Sequence, residues 1–259
     1  MKQVSFFSLS FLVFCFFMTG QHSALASDSS LDIFSSANEA YYKNHLENAA
    51  KLYQQLLDSG MVNGHLNYNL GNVAYREGHS GEAILDYKKA LRLIPRDPDV
   101  RANLEFVERK LVDKFEPTWR STLFSTLFFW NSYMTTHELL VVLACLLGGM
   151  WICGGLLWFV SKPLPRALFM VFLILSVVFS ISTFIKWDAE HRHWGIVEKS
   201  EVDVHPTFLE TEKVLFKLHE GTEVEVIDRQ SFEQNTTWLQ IRLPHFESGW
   251  VKGEEVGIL

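Results

Sequence analysis

The sequence predicts a multidomain membrane protein with α-helical repeat hairpins, two transmembrane helices and a C-terminal all-β barrel. Three observations lead to this prediction. Two apolar runs are long enough to span a bilayer, and a pattern with a period of 34 residues precedes them. After them, apolar and charged residues alternate with a period of two, which is typical of half-buried strands.

Residues 1–26 are predicted to form a secretory signal peptide. Lys2 supplies a positive start, residues 6–18 form an apolar core, and residues 24–26 (Ala-Leu-Ala) provide a cleavage site. The apolar core is shorter than the ~20 residues that a transmembrane helix needs. An anchor that is not cleaved is the alternative interpretation.

The two longer runs are predicted to be transmembrane helices at residues 139–160 and 167–187, joined by a cytoplasmic turn at residues 161–166. The turn carries Lys162 and Arg166, the charges counted by the positive-inside rule. Both soluble parts are therefore expected on the outer side, which in a bacterial inner membrane is the periplasm. Residues 121–133 are apolar and aromatic but short, which predicts an interfacial helix.

Residues 30–97 contain two copies of the period-34 pattern, at residues 30–63 and 64–97. The second copy is the clearer one, and its marker residues are Leu70-Gly71, Ala83, Tyr87, Ala90 and Pro95. The small residues let two helices cross closely, Tyr87 fills the space between them, and Pro95 stops the second helix. Residues 98–115 are predicted to form one amphipathic helix that caps the apolar edge. The segment resembles a two-repeat tetratricopeptide domain.

That resemblance implies a groove that binds peptides or partner helices, lined by the first helix of each repeat. The positions that correspond to this groove are Phe34, Asn38, Tyr41, Tyr42, Tyr68, Asn72, Tyr75, Arg76, Arg109 and Lys110. Asn38 and Asn72 occupy the same repeat position, where many such domains hold a peptide backbone or a carboxylate. The alternative is that the repeats are a spacer and the tyrosines only cover its surface.

Residues 194–259 are predicted to form a small barrel of about five short strands. The run Leu218-His219-Glu220-Gly221-Thr222-Glu223-Val224-Glu225-Val226, followed by Gly249-Trp250-Val251, resembles a bacterial SH3-like domain. The early loop of that family is replaced here by Val204-His205-Pro206-Thr207, so ligand roles assigned to it do not carry over. Trp238 and Trp250 are candidates for a ligand face, and burial in the core is the alternative.

Charge and motif content exclude several classes of function. Residues 188–259 hold seven Lys and Arg against fifteen Asp and Glu, which is unsuited to nucleic acid. No phosphate-binding loop, nucleophile elbow or zinc motif occurs, and we interpret His191 and His193 as a polar flank of the membrane segment. We therefore expect no enzyme activity, no catalytic residue, no metal site and no cofactor.

The order of segments resembles that of the BatE proteins of the bacterial aerotolerance operon. This resemblance implies a periplasmic scaffold or assembly factor for other membrane proteins, in aerotolerance or envelope stress. Its implied partners are proteins with von Willebrand factor A domains and a MoxR-type ATPase. The alternative is a cell-wall tether whose SH3-like domain binds peptidoglycan and whose repeats recruit a wall enzyme. A sensor that signals through the cytoplasmic turn is a third interpretation, which the turn's six residues disfavour.

Overall fold

A computed structural model describes residues 28–115, 119–159, 161–208, 213–231, 237–244 and 247–259. The predicted signal peptide lies outside the described residues. The chain divides into two compact units. One contains residues 137–181, and the other contains residues 30–136 together with residues 182–259.

The repeat segment consists of five helices. They are α1 (Asp28–Tyr42), α2 (Leu46–Asp58), α3 (Gly64–Glu77), α4 (Ser80–Leu93) and α5 (Pro98–Glu108). Local signals set several boundaries: Asn63 caps α3 by accepting a hydrogen bond from the His65 amide at 2.9 Å. Gly78 ends α3 at φ +92°, where only glycine is unstrained. Asp97 caps α5, which begins with Pro98.

The helix pairs pack as the repeat pattern predicts. Ala83 and Ala90 are fully buried, and Tyr87 is 1% exposed. A side chain on Gly71 would place its Cβ 2.7 Å from the Tyr87 ring, so glycine is needed where α3 and α4 cross. The degenerate first copy forms a second core around Tyr53 and Leu56.

The capping helix is shorter than the predicted residues 98–115. α5 ends at Glu108, and residues 111–115 have no regular structure. The apolar spacing continues to Leu111, but Leu111 packs beside Gly221 and Phe115 packs against the core of the C-terminal strands. These long-range contacts outweigh the propensity of the segment to remain helical.

The C-terminal segment, which we call the β region (residues 194–259), contains seven strands. They are β1 (Trp194–Val197), β2 (Glu201–Val204), β3 (Phe216–His219), β4 (Glu223–Ser231), β5 (Thr237–Arg242), β6 (Ser248–Lys252) and β7 (Val256–Ile258). A five-stranded antiparallel sheet has the order β6-β5-β4-β1-β7, and β2 pairs with β3. The alternation of burial along β2 and β6 confirms the period-two pattern. Closure into a barrel stays a prediction.

The unit that contains residues 137–181 is built from two long apolar helices. They are α7 (Thr136–Leu156) and α8 (Pro163–His191), and their length and composition are sufficient to cross a membrane. Both differ from the predicted bounds, and α8 begins inside the predicted turn at residues 161–166. Pro163 stands at the first position of α8, where a missing amide hydrogen costs nothing. Gly149 lies against the ring of Phe172, which joins the two helices closely.

The predicted interfacial helix at residues 121–133 is two elements, α6 (Trp119–Leu127) and a 3₁₀ turn (Phe129–Ser132). The turn is fixed to the last part of α8 by side-chain hydrogen bonds. Trp130 Nε1 donates to Ser182 Oγ at 2.9 Å, and that hydroxyl donates to Asn131 Oδ1 at 2.6 Å. Lys186 Nζ donates to the Asn131 carbonyl at 2.7 Å.

Candidate functional site

A hydrogen-bonded triad braces the first helices of successive repeats. The Asn38 side-chain oxygen accepts from the Tyr53 hydroxyl at 2.7 Å and from Asn69 Nδ2 at 3.4 Å. The same triad recurs 34 residues later, at 2.8 and 2.9 Å, in Asn72, Tyr87 and Asn103. The repeated asparagines therefore join α1 to α3, and α3 to α5, through their side-chain oxygens.

Burial supports a structural role for the tyrosines of these triads. Tyr53 is 1% exposed, and its burial raises the pKa to about 12. Burial also raises the pKa of Tyr87 well above its usual value. Both phenols therefore stay protonated and donate to the asparagine oxygens at every physiological pH.

Cation–aromatic pairs repeat with the same period. The Arg76 guanidinium lies over the Tyr41 ring, 4.6 Å from its centroid. Thirty-four residues later, Lys110 Nζ lies 5.2 Å from the Tyr75 centroid and donates to the Tyr75 hydroxyl at 2.7 Å. Both cations are exposed, so each pair presents a positive charge beside an aromatic ring.

Exposed aromatic rings extend this surface. Tyr42 is 83% exposed and lies edge-on to Tyr41, and Phe106 is 50% exposed and lies edge-on to Tyr75. We define the aromatic–basic face as the surface formed by Tyr41, Tyr42, Tyr75, Arg76, Phe106 and Lys110. It runs along α1, α3 and the end of α5, and it offers rings and positive charge together.

The other predicted groove residues are placed differently. Asn38 and Asn72 use their side-chain oxygens within the triads, and the Tyr68 ring lies 6.0 Å from the buried Tyr87 ring. Arg109 is exposed and pairs with Glu105 of its own helix at 2.5 Å. Phe34 lies edge-on to Tyr53 in the first core.

Sequence reasoning missed Phe106, Asn69 and Asn103. A signal for the two asparagines was present, since they are 34 residues apart and each follows a predicted groove asparagine by 31 residues. Phe106 carries no such signal, because its position falls in the capping helix beyond the two repeats.

The two tryptophans of the predicted SH3-like ligand face are not exposed side by side. Trp238 is 4% exposed, with one edge on a small cleft of about 190 Å³ whose other walls include Glu201, Asp203 and Glu255. Trp250 is half-buried and lies edge-on to Phe208, with ring centroids 5.7 Å apart. Neither tryptophan presents an open stacking surface.

The β region packs directly on the second repeat. Ile196 of β1 is fully buried in the same cluster as Ile84 and Leu85 of α4. Asp113, beyond α5, accepts hydrogen bonds from the His219 amide at 2.8 Å and the Thr222 hydroxyl at 2.7 Å. These contacts join the repeats and the β region in one compact unit.

Polar contacts at the start of α4 complete this interface. Glu220 Oε1 accepts a hydrogen bond from the Gly81 amide at 2.8 Å, which satisfies a free donor in the first turn of the helix. One helical turn after Leu85, Lys88 and Glu223 form an ion pair at 2.8 Å that is mostly shielded from solvent on the lysine side. The Gly81 Cα approaches the Val197 carbonyl so closely that no side chain fits between them.

Three acidic side chains meet along the same side of α4. Burial raises the pKa of Asp86 to about 7, with Glu82 and Glu198 adding repulsion and Lys89 opposing it. Burial and the neighbouring Glu82 likewise raise the pKa of Glu198. Between pH 3.8 and about 7 the folded protein therefore holds a proton on Asp86 that the unfolded chain has lost.

We predict that Asp86→Asn stabilises the protein at pH 8. Because the pKa of Asp86 is raised, stability falls as the pH rises from about 4 through 7, and asparagine removes that loss. Three pKa units correspond to about 4 kcal/mol. Losing the weak pair with Lys89 and relaxation of the site reduce the expected gain to roughly 2 kcal/mol. Thermal unfolding at pH 5 and pH 8 measures it.

The exposed Glu77→Gln serves as the charge-matched control and should shift the melting temperature little at either pH. A gain from Asp86→Asn that is equal at pH 5 and pH 8 would mean that the carboxyl is not protonated in the fold.

Among the residues that the structure describes, no group of three or more His, Cys, Asp or Glu side chains is arranged to hold a metal ion. In the same described residues, Cys145 and Cys153 are free thiols on α7.

Comparison with known proteins adds one family. Residues 65–97 match the family model of the tetratricopeptide repeat, which confirms the second repeat and covers α3 and α4. None of the curated proteins matches the chain. Tetratricopeptide repeats stack helix pairs into surfaces that bind other proteins. The chain therefore carries a protein-interaction module of the tetratricopeptide class in the segment that forms the aromatic–basic face.

Proposed function

We propose that this protein is a membrane-anchored, non-enzymatic scaffold that binds partner proteins on the aromatic–basic face. The observation that carries the proposal is the repetition of Tyr41 with Arg76 in Tyr75 with Lys110. The buried triads could hold the helices together without any exposed rings. Rings and cations left on the surface at a regular spacing are instead suited to contact another chain.

The chemistry of the face selects the kind of partner. Arg76 and Lys110 are exposed and have no carboxylate within ion-pair distance among the described residues. Exposed rings such as Tyr42 and Phe106 provide apolar contact area at low entropic cost. We propose that the bound segment combines acidic side chains with aromatic or aliphatic ones.

The membrane arrangement of the proposal has α7 and α8 as a hairpin in a bacterial inner membrane. Lys162 and Arg166 support a cytoplasmic connection, since positive charges in short loops stay inside. The repeats and the β region would then both be periplasmic. A signal peptide at residues 1–26 would direct the chain there.

The β region serves, in this proposal, as an SH3-like brace for the second repeat. Its contacts through Ile196, Glu220 and Asp113 support a structural role, and the burial of Trp238 disfavours the cell-wall tether. The resemblance of the segment order to the BatE proteins supports a role in aerotolerance or envelope stress. Proteins with von Willebrand factor A domains and a MoxR-type ATPase are the proposed partners.

We predict that the double variant Arg76→Gln, Lys110→Gln loses partner binding. Two exposed charges contributing about 1 kcal/mol each amount to roughly a 30-fold loss in affinity. Affinity purification of the tagged full chain from native membranes in mild detergent, with quantitative mass spectrometry, measures the recovered partners. Thermal unfolding checks the fold, because Arg76 also donates to Asn44 at 2.8 Å.

The matched control is Lys51→Gln, Lys199→Gln, which removes two exposed lysines from α2 and the β region. Equal partner recovery from both double variants would exclude the aromatic–basic face as the binding surface.

A further inference from the structure

A second surface in the same unit forms a cleft of about 490 Å³. Its walls are α4, α5, α6, the 3₁₀ turn, the last part of α8 and the start of β1. One side is apolar and aromatic, with Leu91, Phe124, Phe128 and Ile185. This cleft is separate from the aromatic–basic face and shares no residue with it.

The other side of the cleft is positively charged. Its cationic side chains are Lys88, Arg92, Arg101 and Lys186, and its acidic side chains are Glu190 and Glu223, which gives a net side-chain charge of +2. The two lysines are partly neutralised, Lys88 by Glu223 at 2.8 Å and Lys186 by Glu190 at 3.7 Å.

The two arginines keep their charge. Arg101 donates to the carbonyls of Pro95 and Ser132 and lies over the Tyr133 ring, and none of these groups carries a formal charge. Arg92 has no carboxylate within ion-pair distance among the residues that the structure describes. Uncompensated arginines beside an apolar wall favour an anionic, amphipathic ligand.

The chain places this cleft at the end of an apolar run. Ile185 is the last residue of the run in α8, and Lys186 is the first charge after it. With a rise of about 1.5 Å per residue, Lys186 and Glu190 lie within roughly two helical turns of the end of the run. Phe124 is 48% exposed, as expected of a ring at the level of lipid headgroups.

We propose that the cleft binds one anionic phospholipid, with its phosphate between Arg92 and Arg101. Its acyl chain then lies along Phe124, Phe128 and Ile185. This inference rests on the proposed membrane anchoring and adds a specific lipid site to it. The bound lipid would fill the space between α6 and α8 and fix the repeats at the bilayer surface.

The test uses the full-length protein in detergent and fluorescent phosphatidylglycerol, with fluorescent phosphatidylcholine as the neutral lipid. We expect phosphatidylglycerol to bind at least five-fold more tightly. Arg92→Gln should weaken phosphatidylglycerol binding by about five-fold, the contribution of one basic residue at a membrane surface, and leave phosphatidylcholine binding unchanged. The exposed Lys51→Gln is the matched control and should change neither. Arg92→Gln should also keep the wild-type melting temperature.

Three outcomes would overturn the lipid site. They are equal affinity for the two lipids, equal effects of Arg92→Gln and Lys51→Gln, and displacement of the lipid by excess inorganic phosphate, which would make the cleft a site for free anions. Extraction of membranes with alkaline carbonate separates this failure from failure of the anchoring. A chain that stays in the membrane without lipid selectivity overturns the inference alone, whereas a chain released by carbonate overturns the proposed anchoring.

Discussion

Gly81→Ala is expected to loosen the β region from the repeats and to lower the free energy of unfolding by about 2 kcal/mol. The added Cβ would lie 2.3 Å from the Val197 carbonyl oxygen and 2.9 Å from the Glu198 Cα. Both are backbone atoms, so no side-chain rotation relieves the overlap. Alanine should otherwise stabilise a helix by up to about 1 kcal/mol relative to glycine, which makes a net loss diagnostic of the close approach.

Limited proteolysis and thermal unfolding of the full chain measure this effect. Gly148→Ala is the matched control, because a Cβ at Gly148 meets no atom within 4 Å. We expect cleavage between the repeats and the β region to accelerate only in Gly81→Ala. Equal stability of the two variants would contradict the packing of β1 on α4.

Asp113→Ala is expected to cost about 3 kcal/mol of stability. The Asp113 carboxylate accepts from the Thr222 hydroxyl at 2.7 Å and from both the amide and the ring of His219, at 2.8 and 3.0 Å. Thr222 is only 2% exposed, so its hydroxyl would lose its partner without gaining water. Hydrogen bonds to a charged acceptor contribute about 1.5–3 kcal/mol each, and partial relaxation keeps the total near 3.

The loss should depend on pH in a defined direction. Burial raises the pKa of Asp113, but the hydrogen bonds from Thr222 and His219 outweigh burial and hold it below its ordinary value of 3.8. The carboxylate therefore stabilises the fold above about pH 4, and this contribution disappears as the pH falls through the lowered pKa. Melting curves of the wild type and Asp113→Ala should differ at pH 7 and converge below pH 3. A constant difference would show that the charge of Asp113 contributes nothing.

The repeat architecture was predictable because local and long-range signals agree in it. Gly71 and Tyr87 are spaced for a helix hairpin, and the same two residues meet where α3 and α4 cross. The period of 34 also identifies Tyr41 and Tyr75 as equivalent positions, and the structure places both beside a cation. A repeated position in the sequence here becomes a repeated contact.

The roles of the groove asparagines were harder to predict. Asn38 and Asn72 occupy positions suited to holding a peptide, but their side-chain oxygens are used by tyrosines fifteen residues later. A residue type at a repeat position does not reveal which neighbour uses its hydrogen-bonding groups. That information depends on the angle between helices, which the sequence pattern does not contain.

The interface between the repeats and the β region could not be predicted from the sequence. Asp113 falls within a pattern that favours a continuous capping helix, and its partners His219 and Thr222 are more than 100 residues away. No periodicity relates such distant residues, because contacts across a domain interface have no fixed spacing. The strands β3 and β7 were missed for a related reason, since each is only three or four residues long and forms through pairing with its neighbour.

Site-specific photo-cross-linking in intact cells tests the central claim most directly. A photoreactive amino acid placed at Tyr42 or Phe106 samples the aromatic–basic face, and one placed at Lys51 samples an exposed position on α2. We predict discrete cross-linked products with another protein from Tyr42 and Phe106 and none from Lys51. Products from Lys51 alone, or none from either position on the face, would contradict the binding of a partner on the first helices of the repeats.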